Sequence, residues 1–574
     1  MDALSWTGAA WTLAPTDDVQ VQALDAAMGL GPIASRCLWL RGATEPERAR
    51  HMLSPSLQDL HDPALIHQMD VALARLERAI AEREHVRVVT DYDVDGTTSS
   101  LILQSTLRVR GLDTLSYHIP DRMGEGYGFS VHAAEQAAQD GVGLIVTADI
   151  GVKDHASVTR ARELGVDVII CDHHLPPDTD VPADATAVLC PPQLGCDYPN
   201  PALAACGVSL KLAQALLAQH PKRDAILFSQ LKLAAIGTVA DVVDLSTPEN
   251  RAIVSLGLQS LNRGRHAPGL AALIQCAGLS SGGIRSSDLG FRLGPRINAA
   301  GRMASATDVV ELLTTRDGQR ATALAQRIEG LNKDRRQVQD RLVRLTLDAL
   351  GDDPPPFIVV GGPEAEGWHR GVVGIVAARL RDKHHRPAAV LAIDGDAARG
   401  SVRSTPQVHA VQALDGAADL LERYGGHPAA AGFSCRADAL PALQARLAEQ
   451  ALALTGGIVP PPSHVVDAAL PATAVDRRLH DALAPLAPHG KGNRAPRLAI
   501  QGQLGETRLI KEAHLKARLA GPLQPVDVIW WGAAAEHGDR WRRGASVELL
   551  GTLGLNVWRG RETLQLTVVD VRDA

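Results

Sequence analysis

The arrangement that most constrains this chain is a series of apolar runs that each stop at an acidic cluster. Val86-Arg87-Val88-Val89-Thr90 leads into Asp91-Tyr92-Asp93-Val94-Asp95-Gly96, and Leu144-Ile145-Val146-Thr147 leads into Ala148-Asp149. Val166 to Cys171 precedes Asp172-His173-His174, and Thr238-Val239-Ala240 precedes Asp241. The segments between the first three runs have helical spacing. Strand–helix alternation of this kind builds parallel βαβ units, and such sheets bind ligands beyond the carboxyl ends of their strands. The first three clusters follow strands and should therefore converge. The run before Asp241, Leu231 to Val239, suits a helix or a strand.

Carboxylates and imidazoles gathered at one sheet edge suit divalent cations, and paired cations suit phosphoester cleavage. In extended backbone, Asp91, Asp93 and Asp95 would share a face and repel one another unless a cation intervened. Gly96 permits a sharp turn, after which Thr97-Thr98-Ser99-Ser100 should cap a helix. The competing reading of this stretch is a solvated turn with helix-capping residues. Asp149 alone would pass for a cap, and its weight comes from its position. Asp172, His173 and His174 supply a metal ligand and a phosphate contact or acid, with Asp172 and His174 the candidate catalytic pair. Mixed Asp and His ligation favours two divalent cations, Mn2+ or Mg2+, over structural zinc. Ions about 3.5–4 Å apart need a shared carboxylate, and Asp149 is the expected bridge.

The chain has 574 residues with a net charge of -7, so overall charge does not announce a nucleic-acid binder. Basic residues concentrate in 285–302 and 320–344, as either a polyanion groove or a solvated helix face. The seven cysteines form no CxxC pair, which favours reduced cysteines in the cytoplasm over a zinc ribbon or a disulfide framework. No apolar segment reaches the ~20 residues of a membrane span. Residues 1–65 read as an N-terminal cap with little regular pattern, 66–270 as the parallel-sheet domain, and 271–350 as a connecting helical region. A helix over roughly 318–350 would be about 45–50 Å long at 1.5 Å per residue. Residues 351–459 carry a second, smaller α/β pattern. Residues 460–574 read as a β-barrel of the OB type, with basic Lys491, Arg494, Arg497, Arg508, Lys511, Lys516 and Arg518. Trp530, Trp541 and Trp558 with Trp531 suit either the barrel core or stacking on bases.

These motifs resemble those of the DHH phosphoesterases, a superfamily that carries the triplet seen here as Asp172-His173-His174. Within it the chain is similar to a bacterial branch that degrades single-stranded DNA from the 5′ end. The matching stretches continue with Pro120-Asp121-Arg122, Gly126-Tyr127-Gly128, Gly294 to Arg302, Gly400 to Ser404 and Gly425-Gly426-His427-Pro428. Val94 stands where the family often has Ala. The resemblance implies a DHH domain joined by a long helix to a DHH-associated domain, followed by an OB-fold. It implies metal ligands at Asp93, Asp95, Asp149, His173 and Asp241, with Asp91 beside them, and His174 on the scissile phosphate. It implies a 5′-phosphate site at Arg122, Ser401 and Arg403, and strand contacts at Arg296, Asn298 and Arg302. Gly426 and His427 would line the opposite wall, with His427 touching phosphate or buttressing the turn. Gly371 to Gly374 opens a helix for phosphate or for close packing.

The function this implies is a monomeric 5′→3′ exonuclease releasing mononucleotides in recombinational repair and mismatch excision. A single-strand-binding protein and a repair helicase would be its partners. The alternatives are a phosphodiesterase for short oligonucleotides or cyclic dinucleotides, which usually lacks a third domain, and a catalytically dead scaffold, which would have lost ligands.

Overall fold

The computed structural model describes residues 5–121, 125–126, 128–176, 180–280, 282–351, 353–558 and 560–574. Its first sheet has five parallel strands in the spatial order Leu115–His118, Val86–Thr90, Leu144–Ala148, Asp167–Cys171, Ala187–Leu189. Their residues are apolar on both faces because helices cover both. Val88, Leu144, Val146 and Ile169 face one core with Ile102, Leu103 and Leu212. Val89, Ile145, Val168 and Ile170 face the other with Ala134 and Val158. All five strands point the same way, so the acidic clusters that follow them emerge on one edge.

One local reading of the sequence needs correction, and one left open is resolved. Asp91, Asp93 and Asp95 do not lie along one extended face. The helix begins at Val94 and runs to Val109, with Asp93 as its N-cap accepting the Gly96 N–H at 3.0 Å. Aspartate at this position satisfies an otherwise orphaned amide, so the chain turns helical inside the motif. Thr97 to Ser100 are then buried helix interior, and Thr98 Oγ1 donates to the Val94 carbonyl at 2.8 Å. The run ending in Val239 is helical: Arg223–Ala240 is one helix, and Asp241 sits at its carboxyl end.

A 33-residue helix, Gly318–Leu350, connects to the second lobe. That lobe is a mixed sheet ordered Arg423–His427, Ala430–Arg436, Ala397–Arg403, Ala388–Asp394, Ile358–Pro363. Helix Val373–His384 packs on it. The C-terminal strands close a five-stranded barrel through Leu498–Ile510, His514–Ala520, Val526–Trp530, Arg561–Asp573 and Ser546–Trp558, which pairs back onto Leu498.

The first 53 residues are more regular than the sequence suggested. Helices Asp18–Met28, Pro32–Trp39 and Pro46–Leu53 span only two or three turns each, too few for a periodic signal. Their Leu24, Cys37, Leu38 and Met52 share one core with Leu470, Leu498, Ile500 and Trp530 of the barrel. Ala10–Leu13 pairs in parallel with Ser463–Val466. Among the described residues no helix is long and apolar enough to cross a membrane, and the cysteines are unbonded thiols.

Candidate metal centre

The sheet edge delivers side chains from several elements. Asp149 follows its strand in a left-handed conformation, φ 65°, ahead of Gly151 at φ 117°. Aspartate tolerates this region better than most residues, and a Cβ at Gly151 would lie 2.6 Å from Thr147 Oγ1. This tight turn holds the Asp149 carboxylate at the centre of the edge. His173 Nε2 lies 3.2 Å from Asp149 Oδ1 and 3.9 Å from Asp95 Oδ2, and its Nδ1 lies 3.8 Å from Asp241 Oδ2.

Three overlapping sets of donor atoms, each within 4.8 Å of one another, can hold metal ions: Asp149, His173 and His174; Asp95, His173 and Asp241; and Asp91, Asp93 and Asp149. Asp149 and His173 each belong to two of them. The donors fit cations on a second ground. His173 Nε2 is buried and makes no hydrogen bond although Asp149 Oδ1 lies 3.2 Å away; it is an unsatisfied nitrogen that a cation would engage. A mixed carboxylate and imidazole set suits Mn2+ or Mg2+.

The electrostatics agree. Burial pushes the Asp149 carboxyl well above its ordinary range, and the charges of Asp93, Asp95, Asp91 and Asp241 push it further. Burial, then Asp95 and Asp93, raise Asp241 to about 8. Burial lowers the His173 imidazole, keeping it neutral as a ligand must be. Without a cation, burial and mutual repulsion disfavour the charged forms of Asp149 and Asp241; a bound cation would compensate those charges.

Asp172 has a different task. Its Oδ1 accepts the backbone N–H groups of His173 and His174 at 2.7 and 3.1 Å and faces His174 Nδ1 at 2.8 Å, while Oδ2 accepts the Val152 N–H at 3.1 Å. Burial opposes ionisation, but the bonds from His174 outweigh it and bring Asp172 to about 2. Burial likewise opposes protonation of His174, and the Asp172 hydrogen bond reverses that. Asp172 therefore orients His174 and favours its protonated form.

Asp95 is held by a feature no local pattern shows. Its two oxygens accept the N–H groups of Ala205 and Cys206, at 2.7 and 2.9 Å, at the start of helix Ala205–Leu216. Gly237 lets that site close, since a Cβ there would press on Thr98, Cys206 and Asp95. Lys153 was also missed: its charge acts on both His174 and His427, and a single exposed lysine carries no motif.

In the second lobe, Ser401 and Arg403 share a face of their strand, and Arg403 Nη1 donates to Ser401 Oγ at 2.8 Å. Gly374, in the first turn of helix Val373–His384, lies so close that a Cβ would sit 2.9 Å from Ser401 Oγ and 3.1 Å from Arg403 Nη2. The close-packing reading of this glycine is the one the structure shows. Arg302 Nη1 donates to the Gly371 carbonyl at 2.9 Å, tying the connecting region to that helix. Asn298 is half-buried on the same helix as Arg302. Arg296 differs from expectation: it is buried and ion-paired with Glu329 at 2.7 Å, so it locks helix Gly294–Met303 to the long helix. His427 sits on an exposed hairpin, with Gly426 at φ 150°; partial burial lowers its imidazole, as do the charges of Lys153, His174 and His173 from the facing lobe. Arg122 and Tyr127 lie outside the described residues.

Much of the expected basic surface is internally paired. Arg320 pairs with Glu311, Arg327 with Asp308, Arg494 with Asp467 and Lys516 with Asp527. Trp530 and Trp541 are barrel core, whereas Trp531 is 55% exposed beside His514. The Trp558 side chain lies outside the described residues.

A parallel sheet whose carboxyl edge gathers these aspartates around a DHH triplet, joined by a long helix to a second lobe, defines a phosphoesterase of the DHH class. Residues 85–238 match the DHH family, N-terminal domain, 356–453 match the DHHA1 domain and 466–570 match the RecJ OB domain. The single-stranded-DNA-specific exonuclease RecJ of Bacillus subtilis (strain 168) is 34% identical over 571 residues, covering 98% of this chain and 70% of that protein. The crystal structure of RecJ from Thermus thermophilus in complex with Mn2+ superposes with a TM-score of 0.83 at 31% identity, covering 99% of this chain and 80% of that one. The Mg2+ complex of RecJ from the same organism superposes at 0.77 and 30% identity, covering 99% and 79%. The chain belongs to the RecJ family.

Proposed function

We propose that this protein hydrolyses single-stranded DNA from its 5′ end and releases 5′-mononucleotides. The observation that carries this reading is the convergence of Asp95, Asp149, His173 and Asp241 from distant segments onto overlapping donor sets. Asp91, Asp93, Asp95, Asp149, His173 and Asp241 would hold two divalent cations. When bound, such a pair supplies a nucleophile at neutral pH and compensates charge on the phosphoryl oxygens.

The chain's own groups account for the rest. The P–O3′ bond of the terminal nucleotide breaks as a water oxygen bonds phosphorus, and the departing 3′ oxygen takes up a proton. His174, whose basicity the Asp172 hydrogen bond raises, is the group placed to donate a hydrogen bond or that proton. Ser401, Arg403 and the N-terminus of helix Val373–His384 receive the terminal 5′-phosphate, as an arginine fork and helix amides do. Each cut leaves a new 5′-phosphate on the strand, so the same pocket serves every round. Exposed Arg508, Lys511, Arg518 and Trp531 suit sequence-independent strand binding. In this reading the protein acts as a monomer in the cytoplasm on repair intermediates, beside a single-strand-binding protein and a helicase.

End-labelled oligonucleotides with Mn2+ test the proposal. Mononucleotides appearing from the 5′ end support it. Cleavage restricted to very short oligonucleotides or cyclic dinucleotides would replace it with the phosphodiesterase reading, and binding without cleavage with the scaffold reading.

A further inference from the structure

The barrel does more than sit at the far end of the chain. Its segment 485–493 is clamped onto the catalytic lobe beside Asp241. Arg251, buried in helix Pro248–Asn262, donates to the carbonyls of Pro485, Leu486 and Ala487 at 3.1, 3.1 and 2.8 Å. Ser286 Oγ donates to the His489 carbonyl at 2.8 Å. Buried Asn493 closes the loop on itself through Leu486 and Pro488 and accepts Arg41 Nε at 2.9 Å. Four residues beyond Asp241, the Leu245 N–H donates to the Lys491 carbonyl at 2.9 Å. Gly492 presses so closely on the Asp244 carboxylate that no side chain could stand there.

This clamp fixes the backbone of Lys491. The residue is exposed, and among the described residues no carboxylate lies within ion-pair distance of its ammonium. Its charge nonetheless acts on two groups from facing walls of the cleft, Asp241 of the catalytic lobe and His427 of the second lobe. Arg494 and Lys516, also in the barrel, are by contrast spent on internal aspartates. An exposed ammonium carried on a loop anchored four residues beyond Asp241 has one obvious ligand class, the phosphodiester oxygens of a strand entering that site.

We propose that Lys491 contacts a backbone phosphate of the strand at the metal centre, so that the third domain contributes a substrate-binding residue to the active site itself. This rests on the exonuclease reading above. The test compares the wild-type protein with K491Q and K491R, using a 5′-phosphorylated single strand and Mn2+ over a range of salt. K491Q should lower kcat/KM about tenfold, mainly through KM, and flatten its log–log salt dependence by about 0.7, the increment for one phosphate contact on a single strand. K491R should keep most of both. Thermal unfolding of K491Q should match the wild type, since the clamp uses only the Lys491 backbone. Wild-type salt slope and kcat/KM in a folded K491Q would overturn the contact while leaving the exonuclease intact. A wild-type protein that does not cut the strand would overturn the exonuclease reading, and this one with it.

Discussion

At the scale of single residues, Asp149 concentrates the conflict that defines the site. It is buried, surrounded by four other carboxylates and set in a left-handed turn. Asn tolerates the same backbone but carries no charge. Asp149→Asn should cut turnover about 10²–10³-fold, the scale for losing one preorganised charge-stabilising group. The same change should raise the melting temperature of the metal-free protein, because it removes repulsion, and should shrink the stabilisation that Mn2+ brings. Calorimetry in chelator and in Mn2+ separates these effects.

Asp241 gives a pH dependence with a definite sign. Its folded-state value of about 8 stands above the ordinary 3.8, so the folded state holds the proton more tightly. That contribution is full below about pH 4 and is lost as pH rises towards 8. Melting curves in chelator should therefore fall across this window, and Mn2+ should restore more stability at pH 8 than at pH 5. A metal-free melting temperature that rose steadily to pH 8 would contradict the assignment. Arg403→Ala should reduce the preference for 5′-phosphate over 5′-hydroxyl ends more than it slows turnover at saturation. Parallel rates on the two ends measure it.

At the scale of elements, the parallel strands were legible because burial on both faces makes them nearly unbroken apolar runs. The carboxyl-edge position of Asp149 and Asp172 followed directly. What was not legible was settled by partners distant in sequence. Asp95 is held by amides 110 and 111 residues away. Arg296 looked like a strand contact in its glycine-rich motif, yet Glu329 on the long helix claims it. The Asp-rich stretch was read as extended because alternating aspartates suit a strand, whereas the N-cap preference of Asp93 won. Close element packing also yields a prediction. Gly374→Ala would push a methyl group between helix Val373–His384 and Ser401 with Arg403. It should cost about 1–3 kcal/mol of stability, as overpacking does, and weaken end recognition. Denaturant melts and end-preference assays would show both losses together.

At the scale of the whole molecule, the lobes are not independent. The N-terminal helices bury Leu24, Leu38 and Met52 in the same core as the barrel. Each such side chain is worth about 1.5–3 kcal/mol when removed from water. A protein cut after residue 459 should therefore expose these apolar helices and aggregate, whereas also removing residues 1–55 should restore solubility. Light scattering of the two truncations distinguishes this from a barrel that only binds DNA.

The Trp6 N–H donates to the Val571 carbonyl at 2.7 Å, and Trp6 Nε1 reaches Asp573 Oδ1 at 3.1 Å. Residues separated by almost the full sequence are thus neighbours. A short glycine bridge could join them, and the polypeptide could be opened instead at the proline-rich turn near 354–356. Such a circular permutant would read its lobes in a rotated order while every donor at the sheet edge kept its place.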